Sequence, residues 1–348
     1  MTSYFDLLKG DALVQLRTLP DDSVHAVICD PPYGLTSKHD IYEILTAWLE
    51  GQTYVNRQNG YAGTEWDNSV PGPELWKEVK RVLMPGGVVL AFGASRTSHL
   101  TTISLELAGL EIRDSLHWVY APGCQRSRDL SKYPELDGSP KLQESVSGMR
   151  TTLKPGHEPI TIARKKLNDG QHLLGSMLEH QVGAINHNGF RNKTKLVASN
   201  VLAVHDFGCV AGACLCEIKL DPISKHATPI YPSQEISHAS LNFPKPTKDE
   251  RPKSVEETTH ETVKPLALMR TLIRAFSSPG QIILDPFAGS GTTAEAALLE
   301  GRHSIGCEIT PKYWPLIMGR FESLKERGFD VRLGAPIDLQ STSVLFEN

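Results

Sequence analysis

Two short stretches of this 348-residue chain combine side chains whose types and spacing suit chemistry on a small planar ligand. The first is Asp30-Pro31-Pro32-Tyr33, which ends the apolar run Val24 to Cys29. A proline lacks an N–H and has a fixed φ, so neither proline can extend a sheet ladder. The chain must leave the sheet here in a stiff turn. Such a turn holds a carboxylate, a backbone carbonyl and an aromatic face together at a strand's C-terminal end. A planar base with an exocyclic amino group suits that arrangement. Two acceptors meet its two N–H bonds, and the ring gives it a stacking face.

The second stretch is a strand, a glycine turn and a helix start: Gln281 to Leu284, then Asp285, Pro286, Phe287, Ala288, Gly289, Ser290, Gly291, Thr292 and Thr293. Glycines at 289 and 291 let a ligand approach the backbone, and a helix N-terminus offers free N–H donors. Nucleotide-like ligands bind at such places, outside the carboxyl ends of strands. One strand further on, Ser304 to Glu308 ends in an acid, and a carboxylate there can accept both hydroxyls of a ribose. A dinucleotide-binding Rossmann unit is the rival reading. The spacing Gly-Ser-Gly-Thr-Thr lacks the third glycine of that fingerprint, and Asp285-Pro286 departs from it too.

The elements that must position these residues follow from periodicity and breakers. Strands are expected at 4–9, 24–29, 88–92, 111–120, 158–165, 281–284 and 303–307. Helices are expected at 12–19, 74–83, 98–108, 264–275, 293–299 and 314–325. Pro85-Gly86-Gly87 reads as a turn into the 88–92 strand, and 34–70 as mixed and loop-rich. The loop 121–157 is too long to be a mere connector. From 167 to about 257 the pattern degrades, and 222–256, rich in Pro, Ser, Thr and Lys, reads as a mobile linker. Strands alternating with helices imply an α/β fold with a mainly parallel sheet. There is no internal repeat.

Bulk composition is that of a soluble globular protein: 40% hydrophobic, 22% charged. No stretch approaches the roughly 20 apolar residues of a membrane helix, and the start lacks a secretory signal. Six cysteines make no disulfide framework, so a reducing cytosol is the default. The net charge of −4 argues weakly against a nucleic-acid partner. Residues 121–200 soften that, with 12 Lys+Arg against 7 Asp+Glu.

Taken together, these motifs resemble the β group of S-adenosylmethionine-dependent DNA amino-methyltransferases, which act on adenine N6 or cytosine N4. Asp285-Pro-Phe-Ala-Gly-Ser-Gly-Thr is similar to motif I, Asp30-Pro-Pro-Tyr to motif IV and Glu308 to the motif II acid. His260-Glu-Thr262-Val-Lys264-Pro265 matches the His-x-Thr-x-Lys-Pro of motif X, and Gly10-Asp11 resembles the motif III position. Leu83-Met-Pro-Gly-Gly and Trp118-Val-Tyr resemble later family positions. The similarity spans 4–165 and 258–325, in the group's permuted order. The overall look, Trp66-Asp67 and Lys248-Asp-Glu-Arg251 included, is that of phage or prophage members.

The resemblance implies a Rossmann-like class I methyltransferase sheet, mostly parallel with one antiparallel strand, circularly permuted around an inserted target-recognition region. It implies a catalytic half at 1–165, recognition and linker at 166–257, a cofactor-binding half at 258–330 and a tail at 331–348. It assigns Asp30, Pro31, Pro32 and Tyr33 to catalysis. It assigns Asp11, His260, Thr262, Lys264, Pro265, Asp285 to Thr292, and Glu308 to the cofactor. The partner is double-stranded DNA, in a bacterial host cytoplasm, and dimers occur in the group. Adenine is preferred, because relatives acting on cytosine N4 more often carry Ser at the leading Asp. The alternatives are cytosine N4 methylation and a non-catalytic DNA-binding protein on the same fold. Candidate DNA contacts are Arg126, Arg128, Lys132, Arg150, Lys154, Arg191, Lys193 and Lys195. Trp118 or Tyr120 is a candidate cover for the flipped base, with core packing the plainer role. Cys209, Cys214 and Cys216, spaced C-x4-C-x-C, depart from the usual zinc pattern, and no metal is assigned to them.

Overall fold

The computed structural model describes residues 2–35, 40–56, 66–119, 127–153, 155–186, 201–202, 260 and 262–334. In chain order the elements are β1 (Ser3–Lys9), α1 (Ala12–Leu16), β2 (Val24–Cys29), α2 (Ile41–Leu49), α3 (Pro73–Val82), β3 (Leu83–Phe92), α4 (Ser98–Leu107) and β4 (Glu111–Val119). Then come α5 (Pro140–Ser145), β5 (His157–Arg164), α6 (Leu173–His180), β6 (Val201–Leu202), α7 (Leu266–Phe276), β7 (Ile282–Asp285), α8 (Thr292–Leu299), β8 (His303–Glu308), α9 (Trp314–Glu326) and β9 (Val331–Leu333).

One nine-stranded sheet runs β6-β4-β5-β3-β2-β7-β8-β1-β9. Its described pairings are parallel except those of β5, which runs against both β3 and β4. This is the expected α/β sheet with a single reversed strand.

Helices cover both faces, which is why the central strands are mostly buried and mainly apolar. Ala26 and Ile28 of β2 face a cluster with Leu268, Leu272 and Ile273 of α7. Val27 and Cys29, pointing the other way, pack with Leu16 of α1 and Trp76 and Val79 of α3. A third cluster joins Phe5, Leu298 and Phe321. No helix among the described residues is long and apolar enough to cross a membrane.

The structure departs from the sequence reading in five places, the first being helix α5 inside the 121–157 stretch read as a loop. Helix α2 lies within the stretch read as loop-rich, capped by Asp40, whose carboxylate accepts from the amides of Tyr42 and Glu43. Only Ile44 and Trp48 of that helix are buried, so its apolar stripe is narrow. Helix α6 likewise appears where the pattern degrades.

Pro85-Gly86-Gly87 is no turn between elements; it is a bulge within β3. Pairing with β2 shifts between Val24 and Ala26. Gly86 has φ +86°, and a Cβ on Gly87 would stand 2.9 Å from the His25 carbonyl oxygen. Only glycine permits both features. Finally, β9 adds a strand beside β1 at the start of the stretch read as a tail. The 222–256 linker and the cysteine cluster lie outside the described residues.

Candidate active site

Parallel pairing brings four strand ends to one edge. β2 pairs with β7, β7 with β8 and β8 with β1, with Lys9 opposite Glu308 and Asp285 opposite Gly306. Their C-terminal ends therefore carry, side by side, Asp30, the 285–292 loop, Glu308 and Asp11. The reversed strand β5 presents its beginning at this same edge, since Ile160 pairs with Phe92 at the end of β3. That places Glu158 at the site.

The Asp-Pro-Pro-Tyr turn is held by its own backbone groups. Oδ1 of the buried Asp67 accepts from the amides of Tyr33 (2.6 Å) and Gly34 (3.0 Å). The Thr97 hydroxyl donates to the Tyr33 carbonyl at 2.7 Å. The Tyr33 ring packs against the α7 side of the core. Its hydroxyl donates to Asp30 Oδ1 at 2.6 Å and lies 3.1 Å from Glu158 Oε2.

Lys264 meets the same cluster. The resemblance groups it with the cofactor residues, but its Nζ bonds Asp30 Oδ2 and lies 3.4 Å from Glu158 Oε2. Its ammonium also sits over the rings of Tyr33 and Phe92, at 5.4 and 5.1 Å. Two carboxylates thus share one ammonium and one phenol. Burial alone would lower the lysine's pKa, but the charges of Asp30 and Glu158 reverse that and raise it. Burial, then the two carboxylates, push the Tyr33 hydroxyl well above its usual value, so it stays protonated.

The glycine loop is equally well braced. Gly289 and Gly291 have φ +53° and +78°. A Cβ on Gly289 would stand 3.0 Å from His260 Nε2, and one on Gly291 3.2 Å from Ile317. His260 Nδ1 lies 2.7 Å from the Thr262 carbonyl and 3.1 Å from its amide, donating to the first when protonated and accepting from the second when not, and its ring lies 4.4 Å from that of Tyr313. Pro265 caps α7 immediately after Lys264. Asp285 Oδ1 accepts from the Phe287 amide at 3.0 Å. Burial pushes the Asp285 carboxyl up to about 7. Ser290 and Thr292 share a hydroxyl contact of 3.1 Å, and Arg320 donates to the Ser290 carbonyl at 2.7 Å. Pro286 and Ala288 are buried beneath the loop, and the Phe287 ring lies edge-on to Trp76.

Glu308 ties this loop to the next strand end. Its Oε2 accepts from the Gly289 amide and its Oε1 from the Thr310 amide, both at 2.7 Å. Burial raises its pKa, and these bonds oppose the rise. A carboxylate has about four acceptor positions, so Glu308 retains capacity for a ligand's hydroxyls. Asp11 caps α1, accepting from the Val14 amide at 3.1 Å. A nucleoside-like ligand fits this row: glycine backbone beneath it, and acids at the two neighbouring strand ends.

Other candidates fall elsewhere. Trp118 is 1% exposed and packs with Leu116 and Ile160, so it serves the core and does not cover a base. Tyr120 lies outside the described residues. Arg150 is turned into its own loop, donating to the Ser127 carbonyl at 2.6 Å with Asp129 at 3.7 Å. Arg128 lies over the Tyr133 ring at 5.7 Å, and Lys132 ends a short 3-10 turn. Arg126, Lys154, Arg191, Lys193 and Lys195 are outside the described residues. The buried thiols of Cys29 and Cys307 are driven up by burial, so neither is a nucleophile at neutral pH.

Sequence reasoning missed Glu158, Asp67 and Thr97 as site residues. Glu158 had a usable signal, because a reversed strand in a parallel sheet must start where its neighbours end. Asp67 and Thr97 reach the turn only through tertiary contacts.

Known proteins share this architecture. The chain is 27% identical over 343 residues to the type II methyltransferase M.HindIII of Haemophilus influenzae, covering 93% of this chain and 97% of the relative. It is 24% identical to the DNA adenine methyltransferase YhdJ of Escherichia coli, covering 91% and 82%. Among solved structures, the PvuII DNA methyltransferase, described as cytosine-N4-specific, superposes with a TM-score of 0.50 at 15% identity, covering 94% of this chain and 92% of that one. The profile of the N6/N4 DNA methylases matches residues 24–319, most of the length and both halves of the site, and the chain therefore belongs to that family of DNA methylases.

Proposed function

We propose that this DNA methyltransferase moves a methyl group from S-adenosylmethionine to the N6 amino group of an adenine in double-stranded DNA. The observation that carries the reading is the shared strand edge. Asp30 and Pro31 close the strand next to the one that ends in the glycine loop, with Glu308 at the end of the strand beyond it. The leading Asp and the similarity to an adenine methyltransferase support adenine. The likeness to a cytosine-N4 enzyme keeps the second base as the competing reading.

When bound, S-adenosylmethionine supplies an electrophilic sulfonium methyl. Asp11, Glu308, the 285–292 loop, His260 and Thr262 are the residues that would hold it. The amino group of adenine is a poor nucleophile, because its lone pair is delocalised into the ring. Asp30 and the Pro31 carbonyl each accept one N–H, which draws the nitrogen out of plane and localises that lone pair. Holding both reactants in line supplies roughly 7–11 kcal/mol of the barrier. Asp30 acts as acceptor and electrostatic partner more than as a strong base, and the proton leaves after transfer. The base must leave the duplex, at a cost of a few kcal/mol. Stacking on Tyr33 recovers about 1–3 kcal/mol of it.

Digestion of DNA methylated by the purified chain tests the reading. N6-methyladenine is expected, and N4-methylcytosine in its place refutes the choice of base.

A further inference from the structure

Both oxygens of the proposed catalytic carboxylate are already engaged. Asp30 Oδ1 accepts from the Tyr33 hydroxyl at 2.6 Å, and Oδ2 holds the Lys264 ammonium. Each oxygen keeps a second lone pair, but an amino group drawn tightly to Asp30 competes with these internal donors, and a buried donor left without an acceptor is costly. Glu158 stands ready for both. Its Oε2 lies 3.1 Å from the Tyr33 hydroxyl and 3.4 Å from Lys264 Nζ. The side chains of Glu158 and Lys264 are 13% and 9% exposed against 23% for Asp30, so Asp30 is the most exposed of the three charged groups.

We propose that Glu158 is a positioning residue for the reaction: it takes over the Lys264 ammonium and the Tyr33 hydroxyl as Asp30 turns its acceptors to the target amine. The inference rests on the amino-methylation reading above. The exchange needs only a hydroxyl rotation and a short shift of Nζ. It creates no unpaired group, and the cluster's charge is unchanged until the amine becomes cationic. Lys264 then stays neutralised, so it does not compete with the amine for Asp30. The role depends on the negative charge of Glu158, not merely on an oxygen at that place. Glutamine still accepts from the tyrosine but leaves the ammonium bound to Asp30.

The test compares Glu158→Gln with Glu158→Asp in the full chain. Single-turnover transfer of labelled methyl to unmethylated genomic DNA is measured, together with S-adenosylmethionine affinity and thermal stability. Glu158→Gln is expected to lose at least about tenfold in rate, with cofactor affinity within about twofold and a melting temperature lowered by only a few degrees, as for Asp30→Asn. Glu158→Asp, which keeps the charge, should remain at least about fivefold faster than Glu158→Gln. The proposal is overturned by a smaller loss in Glu158→Gln, by equal losses in both variants, or by a loss that travels with weakened cofactor binding or with unfolding at the assay temperature. Methylcytosine as the product of the unaltered chain would overturn the choice of adenine alone, since the rate ratios read the same on either base. No transfer by the unaltered chain would overturn the functional reading and this inference with it.

Discussion

Asp30→Asn is the sharpest perturbation of the site. The substitution preserves shape, removes one charge, and can be worked through from the contacts. In the resting site it takes one of two carboxylates from Lys264, which keeps Glu158 at 3.4 Å. Breaking a buried pair outright costs about 3–5 kcal/mol; with the second acid in place, about 1–2 kcal/mol of stability should go. The reacting state suffers more, because positive charge develops on the amine while it is bonded to residue 30. A unit charge pair at 4 Å with an effective dielectric of 20 is worth about 4 kcal/mol. At 1.36 kcal/mol per decade, the rate should fall roughly a thousandfold. Single-turnover methyl transfer gives the rate, urea unfolding the stability, and equilibrium titration the cofactor affinity, which should stay within about threefold. A variant keeping more than a tenth of the native rate would refute the assigned role. So would a rate loss matched by an equal loss of cofactor binding.

Three further outcomes follow from the same contacts. Asp67→Ala leaves the Tyr33 and Gly34 amides without their acceptor; at about 1–3 kcal/mol for each buried donor, stability in urea and turnover should both fall, and an unchanged turnover would show that the turn needs no anchor. Gly289→Ala forces a side chain to φ +53° against His260 Nε2; the left-handed conformation alone costs about 1–2 kcal/mol, and calorimetry should show cofactor binding weakened at least about tenfold. Asp285 supplies a pH signature. Its folded pKa is raised to about 7, so the stability linked to its neutral form is fully present below the unfolded pKa near 3.8 and is lost as pH rises through 7. Relative to Asp285→Asn, the native chain should lose about 3 kcal/mol between pH 5 and pH 8 in chemical denaturation, and a flat difference would exclude the shift.

Legibility in the sequence followed burial. The strands β2 and β7 stood out because a parallel strand covered on both faces is a nearly continuous apolar run. The Asp-Pro-Pro-Tyr turn and the glycine loop stood out because prolines and glycines mark where a chain leaves the sheet. Helix α2 was hidden because two buried residues in a nine-residue helix make no stripe, although Asp40 gave a capping signal. The bulge at Gly86 was hidden because Pro-Gly-Gly has the composition of a turn, and only contact with the His25 carbonyl distinguishes the two.

The site divides in the same way. Asp30 and Asp285 could be placed from their strands, since each closes an apolar run, and Glu308 as the acid that ends the next strand. The meeting of Lys264 with Asp30 joins residues 234 apart in sequence, and no local pattern records it. Glu158 was legible in principle from the reversed strand, but only once the sheet order was known.

The central claim is that the strand edge carrying Asp30 and the glycine loop methylates an exocyclic amine of adenine. Its most direct test incubates the purified chain with labelled S-adenosylmethionine and unmethylated genomic DNA, followed by digestion to nucleosides and mass spectrometry. Label is expected in N6-methyladenine, with its initial rate roughly a thousandfold lower for Asp30→Asn. Label in N4-methylcytosine, or none in DNA at all, would contradict the claim.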